Sequence, residues 1–307
     1  MSAANAALYH DCLTRGVVDF SGRTQLLLTG PDRVRYLNGQ VTSDVRKLAP
    51  GQTQMACVTT AKGKLFADIV ITAQEDALYV DAEGGLREGL LARLERYIVA
   101  DDVAIEDVSE KYALLHYLGA EPAVAGVGKV ASARRLGRTG WDLRLPREEF
   151  AARRESLLAG RVAVDAGLAE TLRIEAGIPR WGHELDENTL PPEAGLDQTH
   201  IDYHKGCYIG QEVISRLRSV GHVNRQLTGF VAEGDALLAA GAQLRAAADA
   251  PASLGVLTSA AYSFALEKPI ALGYLKRGSP TGALLARPEG THGPEAIVHV
   301  QGLPFAS

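Results

Sequence analysis

The chain has 307 residues, of which 46% are hydrophobic and 22% charged, values that are typical of globular proteins and exclude a disordered or fibrous chain. Its formal net charge of −5 argues against a surface that mainly neutralises nucleic-acid phosphates, so we expect no direct nucleic-acid partner. The N-terminus lacks the basic and apolar regions of a signal peptide, and no apolar stretch approaches the ~20 residues of a membrane span. We therefore expect a cytoplasmic protein without membrane contact.

The three cysteines, Cys12, Cys57 and Cys207, lie far apart in the sequence. They form no CxxC pair and no Cys/His pair with zinc-site spacing, so we expect reduced thiols and predict no metal site. Cys12 and Cys57 have small or apolar neighbours and are expected to be buried.

The first two thirds of the chain predict a mixture of strands and helices. Residues 24–29 indicate a buried strand, and Pro31 suits the first turn of a helix that continues to about Asn38. The β-rich segments 55–60 and 65–72, joined by Lys62 and Gly63, predict a hairpin. Further strands are predicted at 78–80, 103–105, 112–118 and 141–145, and further helices at 86–98, 147–158 and 168–176.

The pattern changes near residue 220 to short β-prone runs punctuated by Gly and Pro, which predict a small antiparallel barrel or sandwich. These runs cover 227–231, 254–259, 270–275 and 296–300. We therefore place the domain boundary between an α+β region at 1–219 and a C-terminal β domain at 220–307.

The most distinctive local feature surrounds Cys207, which lies between Gly206 and Gly210 and close to Lys205. Residues 209–217 can continue as a helix, which would put Cys207 near the helix N-terminus. A helix N-terminus and a neighbouring ammonium both favour thiolate over thiol. The residues alone leave an equal alternative, a buried cysteine that packs a loop.

The segment 204–225 is basic within an acidic protein. Its basic residues are Lys205, Arg216, Arg218 and Arg225, against the single acid Glu212. Such a strip suits an anionic ligand tail or a phosphate, although a solvated helix face with surface ion pairs explains it equally well.

A third feature is the charged pair Arg173 and Glu175 in an otherwise apolar helical run. A buried carboxylate can accept two parallel N–H bonds, as the 2-amino and ring N–H edge of a pterin presents. On the residues alone, Glu175 paired with Arg173 or with solvent is the favoured interpretation.

Together these residues resemble a known family. The run Lys-Gly-Cys-Tyr-Ile-Gly-Gln-Glu at 205–212 closely resembles the signature of YgfZ-type folate-binding proteins, within the superfamily of the glycine-cleavage T-protein, an aminomethyltransferase. Further blocks that resemble the superfamily lie at 36–45, 62–64, 173–177 and 192–196.

The resemblance implies a three-lobed, α+β aminomethyltransferase-like fold around an opening for a reduced folate. Residues 1–219 would form two interleaved lobes, and a C-terminal antiparallel β-barrel would form the third. The implied cofactor is tetrahydrofolate or a derivative. Glu175 becomes the expected pterin partner, and Arg225 is expected to anchor the folate carboxylate. Asp68 and Arg216 complete the expected folate-binding set.

One departure from the T-protein pattern lies in the strand after the glycine hairpin. T-proteins carry a paired Asp-Asp there, whereas this chain has Ala67 and Asp68. Since that pair supplies the acid/base group for aminomethyl transfer, its partial loss argues against glycine cleavage.

The resemblance implies an accessory protein that acts in iron–sulfur cluster assembly or repair, and indirectly in tRNA modification, through Cys207 with Lys205 tuning it. The expected partners are folate and iron–sulfur proteins or cluster-assembly factors, because one cysteine cannot hold a whole cluster. Two alternatives stay open. One is a folate-dependent aminomethyltransferase, and the other a cysteine hydrolase or thiol transferase with His204 or His222 as base.

Overall fold

The structure is a computed structural model that describes residues 3–123, 128–247, 252–288 and 295–305. The chain forms two units, each assembled from two separate stretches. Unit 1 comprises Met1–Asp165 and Leu196–Arg216, and unit 2 comprises Ala166–Gly195 and Leu217–Ser307. The domain division proposed at residues 219 and 220 stays a prediction.

Unit 1 contains two five-stranded sheets. The first has the order β10-β1-β7-β9-β8, and only its β1–β10 pair is parallel. Its strands are β1 (Gly16–Asp19), β7 (Tyr112–Leu118), β8 (Lys129–Arg135), β9 (Arg138–Pro146) and β10 (Val162–Ala163). The second has the antiparallel order β3-β4-β5-β2-β6. Its strands are β2 (Thr24–Thr29), β3 (Thr53–Thr59), β4 (Leu65–Ala73), β5 (Leu78–Ala82) and β6 (Ala104–Asp107).

Six helices accompany the sheets. They are α1 (Ala3–Arg15), α2 (Arg33–Gln40), α3 (Arg87–Glu95), α4 (Arg147–Leu158), α5 (Ala166–Glu175) and α6 (Gln211–Ser219) among the residues that the structure describes. Leu37 of α2 and Leu90 of α3 pack into the core of the second sheet.

Strand β4 shows why the second sheet has a core face and an open face. Leu65, Ala67, Ile69 and Ile71 alternate along the strand and are at most 1% exposed. The residues between them, which include Asp68, point to the opposite face. The hydrophobic alternation therefore fixes which face Asp68 occupies.

The two sheets of unit 1 meet where β3 runs beside β8. Ser132 N donates to Gly51 O at 2.8 Å, and Thr53 Oγ1 donates to Ser132 O at 3.0 Å. These bonds hold the middle of β8 against the start of β3.

Unit 2 contains a closed six-stranded antiparallel barrel with the order β11-β14-β13-β12-β15-β16, closed by the β11–β16 pair. Its strands are β11 (Arg225–Ala232), β12 (Gln243–Arg245), β13 (Gly255–Ser263), β14 (Lys268–Lys276), β15 (Ala283–Arg287) and β16 (Ala296–Gln301). Phe230, Leu244 and Val298 fill its core. Closure leaves no sheet edge unpaired. The predicted α+β class with a C-terminal antiparallel barrel is confirmed.

Several predicted elements differ from the structure in their limits. Helix α2 begins at Arg33 rather than Pro31, and helix α6 begins at Gln211 rather than Ile209. No sequence pattern indicated α1, β1, β8, β10 or β15. In the described ranges no helix is long and apolar enough to cross a membrane.

Candidate functional site

A cavity of about 300 Å³ lies in unit 1 where β3 meets β8. This volume is at the lower end of the range for small-molecule sites. Met55 and Val70 form the apolar part of the cavity wall, and they are direct partners across the β3–β4 ladder. The polar wall consists of Thr53, Gln54, Arg134, Arg135 and Thr199.

Asp68 lies two residues before Val70 on β4, so both side chains occupy the same face of the strand. Its Oδ1 atom is buried and has no hydrogen-bond partner within the described residues. Burial raises the pKa of Asp68 to about 6, although Arg23 acts in the opposite direction. The carboxyl group therefore titrates close to neutral pH, which suits a group that exchanges a proton or accepts a ligand N–H.

Cys57 is the direct partner of Asp68 across the β3–β4 ladder. It is fully buried, and its backbone N–H donates to Thr42 Oγ1 at 2.8 Å. Burial, followed by the Asp68 carboxylate, raises the pKa of the Cys57 thiol. Cys57 therefore stays a thiol in the buried interior of unit 1. Cys12 is also fully buried.

The predicted Cys207 motif is held in place by Lys205. The Lys205 ammonium donates to the backbone oxygens of Asn38, Val41 and Ser43 at 2.6, 2.6 and 2.8 Å. These three bonds use all three ammonium hydrogens. Burial lowers the pKa of Lys205 to about 8. The ammonium makes no hydrogen bond to Cys207 in the described part of the chain, so the proposed tuning of the thiol stays a prediction.

Two glycines pack the motif against the β3–β4 hairpin of unit 1. Gly210 has φ +89°, and an added Cβ would lie 2.5 Å from the backbone oxygen of Thr60. Gly63 has φ +71°, and its added Cβ would lie 2.9 Å from Val213 Cβ. Only glycine tolerates both the backbone conformation and the close approach.

Cys207 itself is exposed, unlike the other two cysteines. Helix α6 begins four residues later, after the left-handed Gly210, so Cys207 lies before the first turn of the helix, and an effect of the helix N-terminus on its thiol stays a prediction. Because the left-handed conformation of Gly210 prevents α6 from extending further towards the N-terminus, the Cys207 thiol lies on a loop. No hydrogen bond joins Cys207 to the His204 ring among the described residues, and a base role for His222 stays a prediction.

Arg225 begins β11 in unit 2 and is already paired. Its Nε donates to Glu193 Oε2 at 3.1 Å, and its guanidinium carbon lies 4.2 Å from the ring centroid of Tyr274. Glu193 also accepts from the backbone N–H of Leu190 at 3.3 Å. Glu193 therefore partly neutralises the positive charge of Arg225, and the folate-anchoring role of this residue stays a prediction.

Glu175 is 3% exposed and bonded within unit 2. Its Oε1 accepts from Ser263 Oγ at 2.6 Å and from the backbone N–H of Ala265 at 3.3 Å. These bonds tie α5 to the β13–β14 connection. Its role as a pterin partner stays a prediction, as does the folate-binding role of Arg216, which lies exposed on α6.

Arg135, on the cavity wall, belongs to a buried charge network that joins the two sheets of unit 1. It bonds to both oxygens of Asp81 and both of Asp142 at 2.7 to 3.1 Å. His116 Nδ1 lies 2.8 Å from Asp142 Oδ1. Burial raises the pKa of Asp142, but Arg135 and His116 more than offset this, so the pKa falls well below its usual range. The network fixes the wall in position.

The structure thus brings Asp68, Lys205 and Cys207 into unit 1, and Glu175 and Arg225 into unit 2. The residues of the cavity wall, including Met55, Val70 and the β8 arginines, were not among the predicted site residues. The pair Arg134-Arg135 before the Leu-Gly turn was the available signal. Its significance depends on the pairing of β8 with β3, which no local pattern specifies.

Comparison with known proteins gives one consistent result. Residues 13–125 match the profile described as "GCVT N-terminal domain", and residues 225–297 match "Glycine cleavage T-protein C-terminal barrel domain". The second match coincides with the barrel of unit 2.

Relatives that match most of the chain carry the name aminomethyltransferase. That of Rubrobacter xylanophilus is 31% identical over 286 residues, which cover 85% of this chain and 76% of the relative. That of Streptomyces avermitilis is 26% identical over 325 residues, which cover 94% and 86%. Among solved structures, the glycine cleavage system aminomethyltransferase T of Bartonella henselae matches with a TM-score of 0.83 at 20% identity, covering 98% of this chain and 89% of that one. This structural match shows the shared fold.

Proposed function

Because the chain belongs to the glycine cleavage T-protein (aminomethyltransferase) family, we propose that it binds tetrahydrofolate or a derivative in the cavity of unit 1. The observation that carries this proposal is the cavity beside β4, with Asp68 next to its apolar wall. The family supplies the ligand class, and the residues present fit it.

The chemistry of the wall suits a planar heterocycle that carries N–H groups. Met55 and Val70 offer apolar surface to a ring face. The Asp68 Oδ1 atom lacks a donor in the described ranges, and leaving a buried acceptor unsatisfied costs about 1–3 kcal/mol. A ligand N–H would satisfy this oxygen. When bound, the reduced folate would supply a one-carbon carrier, and the cavity wall would orient its ring.

We further propose the finer role that the Cys207 motif implies, that of an accessory protein in iron–sulfur cluster assembly or repair and, through cluster enzymes, in tRNA modification. The exposure of Cys207 supports this role, since a thiol must be accessible to meet a partner. The Lys205 and Gly210 contacts hold the loop in one conformation. The partner protein would supply the other cluster ligands.

Titration of the full-length protein with 5-formyltetrahydrofolate, followed by calorimetry, tests folate binding. We expect binding that Asp68→Asn weakens on the order of tenfold, because the substitution removes the negative charge from a charge-assisted hydrogen bond. Absence of any binding by the wild type would remove the proposal. Alkylation of Cys207 followed in the same titration reports whether ligand binding changes access to the thiol.

Complementation in cells tests the role of Cys207. A strain that lacks the protein should recover the activity of iron–sulfur enzymes with the wild type and not with Cys207→Ala. Gly206→Ala is the matched control, since an added Cβ there meets no atom within 4 Å. Full rescue by Cys207→Ala would exclude a role for the thiol.

A second candidate, aminomethyl transfer, is favoured by the Asp68 carboxyl group, whose pKa of about 6 suits proton exchange at neutral pH. The relatives named aminomethyltransferase also support it. Ala67 in place of a second Asp counts against it. Incubation with an aminomethyl-lipoyl carrier protein and tetrahydrofolate decides the question, because absence of turnover excludes this activity.

A further inference from the structure

Two neighbouring arginines of β8 lie on the cavity wall but differ in what their guanidinium groups contact. Arg135 is 6% exposed and bonds to Asp81 and Asp142, with the shortest bonds at 2.7 Å. Two carboxylates therefore neutralise its charge, and they already occupy its donors. Arg135 supports the wall and has little capacity left for a ligand.

Arg134 is exposed, and its Nε donates to the backbone oxygen of Gly137 at 3.2 Å. In the described ranges no carboxylate lies within 4.0 Å of its guanidinium group. The bond to Gly137 fixes the base of the guanidinium and leaves the outer N–H pairs to solvent. Arg134 thus presents an uncompensated positive charge at the cavity.

The position of Arg134 relative to the apolar wall follows from the meeting of β3 and β8. Ser132, two residues earlier on β8, accepts from Thr53 Oγ1 at 3.0 Å. Arg134 therefore lies on the part of the wall formed by Thr53 and Gln54, and Met55 continues the same wall along β3. A ligand with its ring against Met55 would extend its outer end towards this cation.

We propose that Arg134, rather than Arg225, binds the carboxylate tail of the folate and makes the cavity select ligands with a glutamate tail over pterins without one. This inference rests on the proposed folate binding and deepens it. A planar guanidinium binds a carboxylate through two parallel N–H bonds, a geometry that matches the tail and not the neutral ring. Because Arg134 is exposed, salt should weaken its contribution.

Two ligands that share a ring test the inference on the full-length protein in oxygen-free buffer. They are 5-formyltetrahydrofolate, which carries the glutamate tail, and 6-methyltetrahydropterin, which does not. Arg134→Ala and Arg134→Gln should weaken binding of the tailed ligand on the order of tenfold and leave the Kd of the tailless ligand unchanged. Arg154→Ala, which removes an exposed charge on α4 away from the wall, should change neither Kd.

Thermal unfolding of each variant checks that the β8–β9 turn still folds. The inference is overturned if Arg134→Gln weakens both ligands equally, which indicates a structural role, or if it changes neither. If the wild type binds neither ligand, the proposed function fails and this inference fails with it. If the difference in Kd between the two ligands disappears at high salt, the inference gains further support.

Discussion

The ammonium of Lys205 lies 2.6 Å from the backbone oxygen of Asn38, 167 residues earlier in the chain. The ammonium also donates hydrogen bonds to the backbone oxygens of Val41 and Ser43. Since these oxygens lie in the last turn of α2 and in the residues that follow it, Lys205 joins the second stretch of unit 1 to the first. The lysine next to Cys207 therefore has a positioning role in the structure.

Lys205→Met tests this positioning role. The change leaves the three backbone oxygens without their shared donor, and we expect the free energy of unfolding to fall by about 2–4 kcal/mol. Urea denaturation measures it. Lys62→Met, on the exposed tip of the β3–β4 hairpin, should stay within about 0.5 kcal/mol of the wild type. Equal effects of the two changes would show that the buried bonds contribute nothing.

Gly210→Ala should destabilise the Cys207 loop, because φ is +89° and the added Cβ would meet the oxygen of Thr60 at 2.5 Å. We expect a loss of about 2–4 kcal/mol. Gly206→Ala, in the same motif, meets no atom within 4 Å and should change stability by less than about 0.5 kcal/mol. Thermal unfolding of both variants is the measurement, and a tolerated Gly210→Ala would contradict the described packing.

Native alkylation should modify one thiol per chain. Cys207 is exposed, whereas Cys12 and Cys57 are fully buried. Iodoacetamide followed by intact mass measurement should therefore add one label to the folded protein and three after denaturation. Cys207→Ser should remove the native label. Rapid labelling of a second thiol in the folded state would show that the packing around Cys12 or Cys57 opens, and peptide mapping would identify which.

The titration of Asp68 predicts a pH-dependent stability. Burial raises its folded-state pKa to about 6 from 3.8, so the folded chain binds more protons than the unfolded chain between these values. The contribution of Asp68 to stability is present at low pH and is lost as pH rises towards neutrality. Asp68→Asn should therefore gain about 2 kcal/mol relative to the wild type between pH 4 and pH 7.

Urea denaturation of both proteins at several pH values measures this difference. A constant difference across the range would show that the Asp68 carboxyl group titrates as it does in the unfolded chain.

The sequence predicted much of the fold because hydrophobic alternation is a local property. Strand β4 and its hairpin partner β3 follow from the spacing of residues such as Leu65 and Ile69, and the barrel follows from regularly spaced β-prone runs. Strand β8 has small or charged residues at most positions, so its pattern carried no such information. Pairing with β9 overrides its weak propensity.

The sequence by itself indicated the aminomethyltransferase superfamily, through the blocks that resemble the glycine-cleavage T-protein, and its hydrophobic alternation determined which face of β4 carries Asp68. The YgfZ-type interpretation of the 205–212 motif stays a prediction. Only the tertiary structure decided that Lys205 bonds to three backbone oxygens, that Cys207 precedes rather than begins a helix, and that Arg134 lies on a cavity wall. Each of these depends on segments that are distant in the chain. Burial and hydrogen bonding between such segments arise only when the whole unit packs, so no local residue pattern encodes them.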